Sequence, residues 1–344
     1  MHRKPDPGYV QRMTSSTVTE VSVLPAPRGE LSAAVIETLS REPGSAVPTL
    51  PDLDPYGEDF QLALHTCYEL HYQGFGAVDS GWEWDPGLLT LRAALEQRYL
   101  RALRDDVPGG TDLEAELEAL LAVPAEETGV SAFLRDEGEP WQLREYFVHR
   151  SIYHHKEADP YAWAIPRLRG QAKASLVAVE FDEFGGGRGE RVHAQLYADL
   201  LAGAGLDPCY LHYVDIVPAP MLALVDMMSL FGLHRAWRGA LMGHFATVEI
   251  TSPPGARRMA QALGRWDSDP ACALFYNEHV EADAVHEQVM REAITDLLAQ
   301  EPELRESVVL GIQVTNLLED RFGEHVLGAW RQDRTSLREP LSSL

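Results

Sequence analysis

The chain has 344 residues, enough for one large domain or two smaller ones, with a core that needs no disulfide or structural metal to hold it. Lys and Arg number 29 against 53 Asp and Glu, a formal charge of −24. That balance argues against a nucleic-acid binder and against a protein held electrostatically to anionic lipid. Cys67, Cys209 and Cys272 lie far apart with no CxxC, so neither a disulfide framework nor a thiolate zinc site is expected, and a reducing cytoplasm fits.

Residues 1–29 are rich in Pro, Ser, Thr and Val and lack periodicity. They read as a mobile arm and hold no apolar leader core. The longest apolar stretch, Pro218 to Leu233, is too short to span a bilayer and carries Asp226. A single all-α domain is expected over 30–344, with an N-terminal helical part at 30–138 and core helices at 139–331.

In chain order, a short helix is predicted at 30–41, then a Pro-rich loop to 57. In Gly109–Ala122, Thr111 and Glu114 form the pattern of a capping box, and Leu113, Leu117, Leu120 and Leu121 share a face. Asp159-Pro160 opens a helix with the apolar stripe Ile165, Leu168, Ala172, Leu176 and Val179, ended by Gly185-Gly186-Gly187. Further helices are predicted at 188–204, 221–231, 234–251, 255–264, 268–299 and 303–331. Tyr210 to Val217 is the lone strand candidate.

The helix at 268–299 carries the most chemistry. Cys272, Phe275, Tyr276, Met290, Ile294 and Leu297 define an apolar stripe, and His279, Asp283 and His286 fall in its middle. Ionisable groups on a core face are costly unless paired or bound to metal, and spacing i, i+4, i+7 lets all three converge. A hydrogen-bonded core network and a metal site stand about level on this pattern alone. Glu183 sits at the centre of the preceding stripe, with Glu180 as a rival at its edge. His193 follows the glycine turn. Glu190 and His193 make Glu-x-x-His, and Asp283 and His286 make Asp-x-x-His, the type of pair that builds dinuclear sites in helical bundles. Glu249 lies near the apolar face of another helix, where His244 reads as a core histidine.

Imidazole and carboxylate donors without thiolate suit iron, manganese or zinc. The alternatives are thin. Phe-Gly-Gly-Gly-Arg-Gly-Glu at 184–190 is neither a Walker loop nor GxGxxG, His286-Glu287 lacks the second His of HExxH, and no GxSxG occurs. Glu69-Leu70-His71 reads as structural, the doublet His154-His155 as half exposed, and Arg235 and Arg238 as surface or ion-pair residues.

The order Glu183, His193, Glu249, His279-x-x-x-Asp283-x-x-His286 resembles the haem-oxygenase-like diiron oxidases, also called iron-containing redox enzymes. The segments DEFGGGRGERVHAQLY, RGALMGHFATVEITSPP and FYNEHVEADAVHE carry the likeness, most specifically over 157–290. The resemblance implies a haem-oxygenase-like helical bundle with extra N-terminal helices and metal between core helices. It implies ligands at Glu183, His193, Glu249, His279, Asp283 and His286. It adds Glu157, 26 residues before Glu183, where N-oxygenating members have a further carboxylate, and it demotes Glu190.

Such enzymes bind two Fe(II), cycle through Fe(III), and form a peroxo-diiron(III) species with O2. The resemblance therefore implies an oxygenase acting on the nitrogen of a small amine, amino acid or heteroaromatic amine, with an external electron donor. Desaturation, C–H oxidation or C–C cleavage of an amino acid or fatty acid is the alternative. A non-enzymatic metal-binding bundle using Glu190 in place of Glu183 is a third reading. No nucleic-acid or membrane partner is expected, and a homodimer is the general prior for soluble enzymes.

Overall fold

The computed structural model describes residues 22–122, 128–266 and 268–341, apart from the side chains of residues 281–285. Among the described residues the secondary structure is helical, with no strand. Helices α1 (Glu30–Leu39), α2 (Glu58–Glu69), α3 (Pro86–Asp105), α4 (Leu113–Leu121) and α5 (Val130–Asp136) form the N-terminal part. Helices α6 (Pro140–His154), α7 (Asp159–Ala162), α8 (Gly170–Glu183) and α9 (His193–Gly203) follow. The chain closes with α10 (Ala219–Leu233), α11 (Arg238–Leu263), α12 (Pro270–Gln300) and α13 (Arg305–Trp330).

The long helices organise the rest. Helix α11 packs along both α12 and α13, while α8 and α9 lie on α12. The α11–α13 crossing is tight for a definable reason. A Cβ on Gly243 would stand 2.1 Å from the Val308 carbonyl oxygen, and one on Gly311 would stand 2.0 Å from that of Ala240. Only glycine at both positions lets the two backbones approach this closely. Helix α10 is buried on nearly every side, from Met221 to Gly232, as an all-round apolar helix must be. The longest apolar stretch of the sequence is thus a core helix, and no helix among the described residues is long and apolar enough to cross a membrane.

Several predicted boundaries move. Residues 1–21 of the expected arm lie outside the described residues, and Ala26 and Arg28 of the remainder are bonded to the body of the protein. Ala26 N–H donates to Asp215 (2.8 Å), and Arg28 bonds Glu58 (2.6 Å) and the Val217 carbonyl (2.8 Å). The cap of α4 is Asp112, which accepts from Ala115 N–H, rather than Thr111. Tyr210–Val217 is a series of turns, tied by bonds such as Val214 N–H to the Leu211 carbonyl.

The predicted helix from Asp159 to the glycines is broken into α7, a short 3-10 turn at Ile165–Arg167, and α8. Ile165 and Leu168 therefore do not share a helix with Leu176. In contrast, α11 runs unbroken through Pro253 and Pro254, where the sequence suggests two helices. Pro253 has no N–H to offer the carbonyl of Glu249 one turn back, so the ladder is interrupted right beside that carboxylate.

Candidate metal centre

Two sets of three buried side chains gather where α8, α9, α11 and α12 meet the α6–α7 connection. Glu157, His193 and His279 form one set, and Glu183, Glu249 and His286 the other. Within each set the potential donor atoms all lie within 4.8 Å of one another. Between the sets is a cavity of about 10 Å³, lined by Glu157 and His279 from one and Glu183 and Glu249 from the other. It has room for about one water molecule.

Local structure explains each placement. Glu183 ends α8, and Gly185, Gly186 and Gly187 then turn the chain with positive φ at all three, a conformation that disfavours a Cβ. A Cβ on Gly185 would also stand 2.6 Å from the Arg191 backbone. The turn delivers His193 to the first residue of α9, within reach of Glu183: its Nδ1 is 2.6 Å from Glu183 Oε2. His279 and His286 lie about two turns apart on α12, on the same side.

Glu157 sits in the connection between α6 and α7, which is held by its neighbour. Lys156 is buried and ion-paired to Glu69, whose other oxygen accepts from Tyr210 O–H at 2.6 Å. Glu69 therefore has the structural role read from the sequence.

Two of the imidazoles are oriented in the manner of metal ligands, each with one nitrogen held by a group outside the two sets. His279 donates its Nδ1–H to the Phe275 carbonyl (2.8 Å), leaving Nε2 to face Glu157 Oε2 at 3.8 Å. His286 places Nε2 against Asp182 Oδ2 (3.1 Å) and Nδ1 against Glu249 Oε2 (3.2 Å). Burial pulls the His286 imidazole down, but hydrogen bonding and charge from Glu249, then Asp182 and Glu183, outweigh it and raise its pKa to about 9. The surroundings of His286 thus favour positive charge.

Glu157 and Glu183 are buried, and their ion-pair partners among the described residues are imidazoles, not Lys or Arg. Three buried carboxylates meeting imidazole nitrogens on five separate segments are a donor set suited to iron or manganese. The residues present fit such ions.

Six of the seven residues named from the sequence are brought together. The seventh, Asp283, falls within α12, but its side chain lies outside the described residues. Glu190, the rival carboxylate, is exposed and belongs to neither set. Glu180 is buried one turn before Glu183, and neither of its oxygens has a hydrogen-bond partner. Arg238 bonds Glu301, away from the centre.

Two neighbours escaped the sequence reading. His154 is mostly buried, not half exposed, and its Nδ1 lies 2.9 Å from Glu157 Oε2. Its partner in the doublet, His155, is buried as well. Asp182, which orients His286, has a half-exposed side chain and no apolar setting to mark it. Spacing alone could have offered His154, since it lies three residues before Glu157.

A second cavity, of about 810 Å³, reaches Glu157 and His279 but none of Glu183, Glu249 and His286. Tyr153, Phe275, Tyr276 and Phe322 form its aromatic walls. Arg150 crosses it, bonded twice to Glu319 (2.9 and 2.6 Å) and stacked 4.8 Å from the Phe322 ring. Asp320, Glu324 and Arg331 also line it.

The family model for iron-containing redox enzymes matches residues 144–320, just over half of the chain and the whole span from Glu157 to His286. No curated protein matches the chain.

Proposed function

From the premise that this chain belongs to the iron-containing redox enzyme family, and is an oxidoreductase on that ground, we propose that it is an O2-dependent non-haem diiron oxygenase acting on a substrate nitrogen. The observation that carries this reading is the pairing of two three-residue carboxylate–imidazole sets across one small cavity, one of them reaching a ligand-sized space. Glu157, His193 and His279 would hold one ion, and Glu183, Glu249 and His286 the other, with Asp283 as a further donor from α12. When bound, the two ions supply the reversible one-electron chemistry that lets O2 react.

The chain's own residues set the rest. Glu183 faces both sets: its Oε2 is against His193, and its Oε1 is 3.9 Å from His286 Nδ1. It is thus placed to fix the separation of the two positions. Phe275 and Asp182 hold His279 and His286 in one tautomer each. The large cavity would present the substrate to the Glu157–His279 side, past the aromatic wall of Tyr153, Phe275, Tyr276 and Phe322.

The cavity also speaks to the substrate. Asp320 and Glu324 have no ion pair among the described residues, and burial followed by repulsion from Glu324 and Glu319 raises the Asp320 pKa. A space lined by carboxylates, hydroxyls and three arginines, Arg150, Arg258 and Arg331, suits a polar compound better than an alkyl chain. The balanced overall reaction for a primary amine is R–NH2 + O2 + two electrons + two protons → R–NHOH + H2O, with the electrons from an external donor.

The test is anaerobic Fe(II) titration, then rapid mixing with O2 in the presence of amine, amino-acid and fatty-acid panels. Two Fe(II) per chain, and a product that gains one oxygen on nitrogen by mass spectrometry, is the expected result. Turnover of fatty acids alone would move the assignment to C–H or C–C oxidation. The absence of stoichiometric iron would remove the diiron reading.

A further inference from the structure

Glu180 is 3% exposed, lies one helical turn before Glu183 on the buried face of α8, and has no hydrogen-bond partner on either carboxyl oxygen. A buried polar group in that condition is rare and costly. Burial, then the charges of Glu183, Asp159 and Glu249, push its pKa up to about 9, so the surroundings offer it nothing positive. The other buried carboxylates of the region are engaged. Glu157 meets His154, Glu183 meets His193, and Glu69 meets Lys156. Structural carboxylates are kept in cores by their partners, and Glu180 has none.

We propose that Glu180 is a further carboxylate ligand of the Glu183–Glu249–His286 position, engaged when a cation is bound there. The inference rests on the metal-centre reading above and goes beyond its ligand set. Residues three apart on a helix have Cβ atoms roughly 5–6 Å apart, so Glu180 and Glu183 can reach one ion by side-chain rotation. With Glu180 added, that position has three carboxylates and one imidazole, against one carboxylate and two imidazoles in the described part of the other set. The more anionic environment favours the more highly charged state of the ion it holds. The two positions would then differ in oxidation preference, with the carboxylate-rich one away from the large cavity.

The experiment uses the full chain without substrate or turnover. Wild type, Glu180→Gln, Glu180→Ala and the exposed control Glu190→Gln are titrated anaerobically with Fe(II) by calorimetry. They are titrated separately with Co(II), whose visible absorption reports coordination number. Wild type and Glu190→Gln should bind two equivalents. In both Glu180 variants one equivalent should be retained, the other should weaken by about 10- to 100-fold, and the Co(II) band of the weakened equivalent should change.

Glu180→Gln keeps the size of the neutral acid, so it decides the matter if Glu180→Ala fails to fold by circular dichroism. Two equivalents of wild-type affinity with an unchanged Co(II) spectrum in Glu180→Gln would overturn the role of Glu180 alone. No binding by wild type would overturn both this inference and the metal-centre reading.

Discussion

The two halves of the candidate centre are built from the same residue types but in opposite proportions. The Glu157 side has one carboxylate and two imidazoles among its described members, and it abuts a cavity of about 810 Å³. The Glu183–Glu249–His286 side has two carboxylates and one imidazole, carries Glu180 beside it, and does not line that cavity. Their supports differ too. Glu157 is held in a connection by a buried lysine–glutamate pair and touched by His154, whereas His286 depends on a half-exposed Asp182. One half therefore borders a large space, and the other is richer in carboxylates.

The largest expected effect breaks the comparison outright. Glu183 touches both halves, so Glu183→Ala should lower iron binding below one equivalent per chain, while the exposed Glu190→Ala should leave two. Metal analysis after desalting reads the difference. Retention by the first variant and loss in the second would transfer the ligand role to Glu190.

The next effect falls on the scaffold, because His244 lies on α11, the helix that carries Glu249. His244 is buried between Tyr161 O–H (2.9 Å) and Thr315 Oγ1 (2.8 Å), and burial lowers its pKa from 6.5 to about 4. The folded protein therefore binds fewer protons than the unfolded chain between those values. Its contribution to stability is intact above about pH 6.5 and falls as the pH drops toward about 4, by about 3 kcal/mol in total. Calorimetric Tm should decline over that window in the metal-free protein, and His244→Gln should flatten the decline. An unchanged slope in the variant would assign the acid sensitivity elsewhere.

The smallest effects sharpen the distinction. Asp182→Asn should weaken one metal equivalent by about 10-fold through loss of His286 orientation, and leave the other untouched. His154→Gln should act only on the other equivalent, through Glu157. Parallel weakening of both equivalents in either variant would mean that the halves are not separable.

How much of this was legible beforehand differs residue by residue. His279 and His286 stood out because polar groups interrupt an apolar helical stripe, and Glu183 because it centres one. Glu157 had no such signal: it lies in a connection, where periodicity has no meaning, and only the family resemblance suggested it. Asp182 was invisible for the same kind of reason, since half of its side chain faces solvent. The two prolines of α11 misled in the other direction, because packing along α12 and α13 carries a helix through bonds that prolines cannot make.

The sequence by itself determined the helical class, the donor types and their spacing along each helix, because these follow from local periodicity and composition. The tertiary structure decided which helices meet, and therefore that Glu190 faces solvent, that Glu180 is buried without a partner, and that only one half of the centre reaches the large cavity. Periodicity tells which face of a helix is covered. What covers it is set by packing between elements distant in sequence, such as the glycine contacts that draw α11 against α13.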